Sequence, residues 1–259
     1  MTLNELDLYF RSFLKIEDYL MDVSKNGIQI QNSSPNGKQI KKVCFAVDAC
    51  AETVEKAVQA GADVLFVHHG LFWPEIGTIT DSVYKRISPF IKNDIALYAC
   101  HIPLDANNPY GNNYGIASRL NLKNLKPFGE WRGMLCGVKG ELEKPLTVEE
   151  LVEVAHSHNK NEKPLCVLPF GKKLIKTVGI ISGGGAGEDD ICQAVEQNLD
   201  AYITGEAEHS SYHYIKESGI NFIAMGHYYS ETVGVQLVAK KLSEETDIQT
   251  EFIDVPTNL

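Results

Sequence analysis

Residues 43–70 read VCFAVDACAETVEKAVQAGADVLFVHHG, and they hold a complete strand-helix-strand unit. Val43 to Val47 is a short apolar run rich in β-branched and aromatic side chains, which suits a buried strand. From about 51 to 60 the apolar positions Val54, Ala57 and Val58 recur at helical spacing. Val64 to Val67 is a second strand, reached through Gly61. Working outward, a helix is expected at about 82–92, a strand from Ile95 to Cys100 and a helix beginning near Asn113. On the other side, Leu3, Leu6, Phe10, Phe13 and Leu14 predict an amphipathic N-terminal helix. Strands alternating with helices imply a parallel or mixed sheet covered by helices.

The second strand ends in His68 and His69. Neighbouring residues on a strand point to opposite faces, so two such imidazoles reach one metal ion only with difficulty, yet each can serve a different one. Two more donor pairs follow apolar runs: His101 and Asp105 in ALYACHIPLD, and His227 and Glu231 in NFIAMGHYYSE. Imidazoles and carboxylates gathered at strand ends are the ingredients of a two-metal hydrolytic centre. Direct ligation is expected from His68, His69, Asp105, His227 and Glu231, with Glu231 placed to bridge. Mixed nitrogen and oxygen ligation suits two divalent ions of Zn, Fe, Mn, Co or Ni better than Ca or Mg. Pro103 disfavours a helix between His101 and Asp105, leaving His101 an outer role. His227 and Glu231 fall at i, i+4 if a helix starts there. Glu206 is the candidate general base, and with His209 and His213 it would form one stripe if that stretch were helical. Asp48 is expected to cap the helix that follows it.

The grammar returns later in the chain. KTVGIISGGG, DICQAVEQNLDAYITGE and GINFIAMGHYYSE echo KKVCFAVDAC, TVEKAVQAGADVLFVHH and NDIALYACHIPLD. At an offset of 137, Asp63 meets Asp200 and His69 meets Glu206; at 126, His101 meets His227 and Asp105 meets Glu231. The expected architecture is α/β: two similar lobes, each a mixed sheet flanked by helices, with a dinuclear metal site in the cleft between them. The first lobe is assigned to 1–125 and the second to 126–259, with a peripheral insertion at 126–173. C-terminal elements are expected to pack back toward the first lobe. Within the insertion, TVEELVEVAHSHN reads as a helix opened by a Thr147/Glu150 capping box.

Other classes are disfavoured. The formal charge of −10 lacks the basic footprint of a nucleic-acid binder. MTLNELDLYF is no signal peptide, and no apolar run is long enough to span a bilayer. Six scattered cysteines without a C-x-x-C pair fit buried thiols in a cytoplasmic protein, although Cys100 adjoins the suspected site. SGGGAG (182–187) matches no phosphate-loop pattern, and Glu188, Asp189 and Asp190 behind it would repel a phosphate.

With these residues in view, the chain resembles the GTP cyclohydrolase 1 type 2 homologs, or Nif-three-like proteins. NGIQI (26–30), VDAC (47–50), DVLFVHHG (63–70), HIPLD (101–105), SGGGAG (182–187), DAYITGE (200–206) and GHYYSE (226–231) carry the resemblance. It implies two similar lobes around a dinuclear metal site, ligated by His68, His69, Asp105, His227 and Glu231, and a toroidal homo-hexamer. The function expected is a metal-dependent hydrolase acting on a nucleotide or related small molecule, with GTP cyclohydrolase chemistry as one version. The alternative is a non-catalytic metal-binding adaptor working as a homo-oligomer.

Overall fold

The computed structural model describes residues 1–74, 77–156 and 163–259. Along the chain run α1 (Leu3–Leu14), β1 (Gly27–Ile30), β2 (Lys42–Asp48), α2 (Ala51–Gln59), β3 (Val64–His69), α3 (Asp81–Lys92), β4 (Ala96–Ala99) and α4 (Ile102–Asp105). Next come α5 (Asn112–Arg119), β5 (Lys123–Trp131), β6 (Met134–Leu146), α6 (Val148–Ala155), β7 (Cys166–Pro169) and β8 (Ile175–Ile180). The chain closes with α7 (Glu188–Glu196), β9 (Ala201–Thr204), α8 (Tyr212–Ser218), β10 (Asn221–Ala224), α9 (His227–Glu245) and β11 (Gln249–Phe252). It divides into two compact units, Met1–Asn107 with Gly234–Val255 and Asn108–Val233 with Pro256–Leu259. The division thus falls at Asn107/Asn108 rather than 125/126, because α5 packs on β6 and β8 of the second unit.

In the first unit the sheet order is β1-β4-β3-β2-β11. The strands β4, β3, β2 and β11 are parallel, while β1 lies antiparallel on β4. Every residue of β4 is buried, as expected of a central strand covered on both faces. Helix α1 is opened by a Thr2/Glu5 capping box and buries Leu3, Leu6, Phe10 and Leu14. The Phe10 ring packs 5.0 Å from Phe66 and 4.9 Å from Tyr98, centroid to centroid. Truncating so buried a ring to alanine typically costs about 3–5 kcal/mol.

The second sheet runs β5-β6-β8-β9-β10-β7. Its core of β8, β9 and β10 is parallel, with β7 antiparallel on the outer edge of β10. Val43, Val64 and Ala96 form one row of the first sheet, and Val178, Ala201 and Asn221 form the matching row of the second. Val64 and Ala201 stand 137 residues apart, the offset of the sequence echo. The repeat also includes an antiparallel edge strand: β1 on β4 in one sheet, β7 on β10 in the other.

That last point revises the reading of 126–173. Its β5–β6 hairpin widens the second sheet beside β8, but β7 belongs to the repeated core. The Thr147/Glu150 capping box is present at α6, which ends at Ala155; the rest of the expected helix reaches residues 157–159, outside the described residues. Among the described residues, no helix is long and apolar enough to cross a membrane.

Candidate metal centre

In the first unit, β3 delivers His68 and His69 at its carboxyl end, and the chain leaves β4 directly into His101 and the single turn of α4. One ring nitrogen from each of His68, His69 and His101 lies within 4.8 Å of the others. This corrects the expected divergence of His68 from His69. Pairing with β4 stops at Val67 while His69 still pairs with Asp48 on β2, and the two imidazole centroids lie 4.6 Å apart. Asp105 Oδ2 stands 3.5 Å from His68 Nε2. Pro103 does not prevent helix here; in a first turn its missing N–H has no helical partner to lose.

Each of these imidazoles is fixed through Nδ1. His68 Nδ1 donates to the Cys100 carbonyl at 2.9 Å, His69 Nδ1 to Asp48 Oδ1 at 2.9 Å, and His101 Nδ1 to Asp22 Oδ1 at 2.9 Å. Carbonyls and ionised carboxylates only accept, so the proton is assigned to Nδ1 and the lone pair to Nε2. This is the arrangement by which proteins orient metal-binding histidines. Asp48 was expected as a helix cap, but Cys50 and Thr53 fill that role for α2. Cys100 contributes its carbonyl alone: burial lifts its thiol well above the ordinary range. That keeps the sulfur protonated and a poor nucleophile.

Asp22 escapes sequence reasoning, since nothing in its spacing ties it to His101 across 79 residues. Its fully buried side chain also accepts from the backbone N–H groups of Ser24 and Ile102 and from the Asn26 amide. Burial alone would raise its pKa, yet these bonds, led by His101, hold the carboxyl below its ordinary value.

The second unit builds a smaller donor set. Helix α9 starts at His227 and places Glu231 one turn on, with His227 Nε2 3.2 Å from Glu231 Oε2. His227 Nδ1 lies 2.6 Å from Glu206 Oε1. Burial pulls the His227 pKa down, but the two carboxylates outweigh it and raise it to about 9. The stretch from Glu206 to Ser211 is not helical, so Glu206, His209 and His213 form no stripe; His209 and His213 are exposed.

SGGGAG supplies room for this pair. Gly183 has φ +66°, and a Cβ there would overlap Glu231 Oε1. Its N–H donates to Ser230 Oγ at 3.0 Å, while its carbonyl accepts from the N–H groups of Gly205 and Glu206. Asn113 holds the loop from the other side, accepting from Ser182 N at 2.7 Å. The donor chemistry of both sets fits borderline divalent cations, with oriented imidazole nitrogens beside carboxylate oxygens.

Comparison with known proteins gives the family. A family model described as Duf34/NIF3 (NGG1p interacting factor 3) matches residues 1–258. The GTP cyclohydrolase 1 type 2 homolog of Treponema pallidum is 43% identical over 291 residues, both chains being covered in full. That of Archaeoglobus fulgidus is 39% identical over 259 residues, again with full coverage of both. The crystal structure of TTHA1606 from Thermus thermophilus superposes with a TM-score of 0.89 at 33% identity, covering all of each chain. The chain belongs to the Duf34/NIF3 family.

Proposed function

We propose that this protein is a hydrolase that uses two divalent metal ions on a nucleotide or a related small molecule, in the manner of a GTP cyclohydrolase. The observation that carries the reading is the fixing of four imidazoles, each by an acceptor at Nδ1. Such outer partners orient metal-binding histidines, and the imidazoles so oriented here lie beside one another or beside a carboxylate. His68, His69, Asp105, His227 and Glu231 would hold the ions, and His101 presents a further nitrogen to the first of these sets. A pair of bound ions supplies Lewis acidity and a water-derived nucleophile at neutral pH. The protein's own part is to keep the nitrogens aimed and to move protons. Glu206 engages His227 through one oxygen; its other oxygen, on a half-exposed side chain, would accept a proton from water in the general-base role.

Incubating protein loaded with each candidate metal with GTP, and assaying formate against phosphate, tests the reading. Formate marks opening of the purine ring, phosphate marks phosphoester hydrolysis, and neither from a broad nucleotide panel would sink the hydrolase. The second reading is a metal-held homo-oligomeric adaptor, a homo-hexamer by resemblance. It draws support from the family description, which names an interacting factor. Glu206→Gln assayed at saturating metal separates the two: the hydrolase loses turnover although the metal is bound, whereas the adaptor changes only in metal retention and thermal stability. Sedimentation analysis checks the assembly.

A further inference from the structure

The loop leaving His69 carries Trp73, a half-buried indole that neither set of metal donors requires. Its ring stands nearly perpendicular to that of His101, centroids 5.1 Å apart at 80°, and 6.4 Å from His69. The loop's first residues are tied down by hydrogen bonds to the segment before β1 and to β1. Gln29 Oε1 accepts from Leu71 N at 2.7 Å and Phe72 N at 3.1 Å, and Gln29 Nε2 donates to Phe72 O at 3.3 Å. Lys25 N also donates to Phe72 O, at 3.0 Å. Gly70 lets the chain press against Gln29, since a Cβ there would overlap the Gln29 amide. The same short segment, residues 22–29, therefore fixes both His101, through Asp22 and Asn26, and the loop bearing Trp73. So much machinery for one partly exposed ring is unneeded if the indole only fills space.

We propose that Trp73 is the wall against which a flat heteroaromatic ring of the substrate stacks, beside the imidazoles of the first unit. The proposal rests on the hydrolase reading and narrows its substrates to molecules with such a ring, nucleobases above all. Stacking on a pre-placed aromatic ring gains affinity because little side-chain freedom is lost on binding.

The chain has two tryptophans, Trp73 and Trp131, so Trp131→Phe leaves Trp73 as the sole indole reporter. In that background, zinc-loaded protein should show quenched emission with guanosine 5′-monophosphate and no change with ribose 5-phosphate. Trp73→Ala should weaken the nucleotide by about tenfold, leave ribose 5-phosphate binding and zinc content unchanged, and be largely rescued by Trp73→Phe. The proposal is overturned if the nucleotide fails to bind, binds without altering Trp73 emission, or binds Trp73→Ala as tightly as the parent. Should Trp73→Ala not fold, the emission measurement and Trp73→Phe still decide. Formate and phosphate release bear on the hydrolase reading alone, so the two can fail separately.

Discussion

The two units carry the same strand-helix framework, yet they furnish it differently. In the first, the end of β3 gives two imidazoles and the exit of β4 gives a third, with Asp105 beside them. Their orienting carboxylates come from elsewhere: Asp48 at the end of β2, and Asp22 from the segment before β1. In the second unit the position equivalent to His69 is Glu206, and it orients the only imidazole of the set, His227. At matching positions of the repeated scaffold, one unit carries a donor and the other a positioning acid. The consequence is electrostatic. His227, held between two carboxylates, keeps its proton to about pH 9, so a cation arriving there must displace a proton.

The contrast can be broken most forcefully by His68→Ala. Loss of an outer partner alone typically costs about 10- to 100-fold in metal affinity, so removing this buried donor should cost at least about a hundredfold. Titration calorimetry with zinc reads it, and unchanged binding would remove the first unit's set from the metal site. Gly183→Ala attacks the second set. Left-handed strain and overlap with Glu231 together should destabilise the protein by about 3 kcal/mol, seen in chemical denaturation, with metal uptake reduced in step.

A paired measurement sharpens the difference between the positioning acids. Asp22→Asn should lower metal affinity by about 30-fold, and Glu206→Gln by only about tenfold. Asp22 is fully buried with four hydrogen bonds, whereas the Glu206 side chain is 43% exposed. The reverse order would show that burial is not what sets their worth. The last effect is on pH dependence. The His227 pKa is raised from 6.5 to about 9, so its contribution is complete below pH 6.5 and is lost as pH rises through 9. Metal-free protein should therefore lose about 2 kcal/mol of stability between pH 6.5 and about 10. Thermal unfolding across that range should show a shallower loss for Glu206→Gln.

Much of the framework was legible because buried parallel strands and amphipathic helices leave strong local patterns. The strands at 43–47 and 64–67 and the helices at 51–60 and 82–92 follow from the spacing of apolar side chains alone. A short strand beyond the helix TVEELVEVAHSHN was expected, but its place in the repeat was not legible: four extended residues resemble any short strand. Its identity lies in hydrogen bonds to β10, which sequence does not display.

The donors announced themselves, because histidine and carboxylate at strand ends are scarce and chemically pointed. Their partners did not. Asp22, Asn113 and Gln29 act through hydrogen bonds to residues 42 to 79 positions away, and nothing in local periodicity records a bond of that kind. Amino-acid order therefore determined the α/β repeat and which side chains can bind a cation. Tertiary structure alone decided that His68 and His69 converge, that Asp48 orients an imidazole instead of capping a helix, and which nitrogen each imidazole offers. The reason is that secondary structure is dictated by neighbours along the chain, while the direction of a side chain is dictated by neighbours in space.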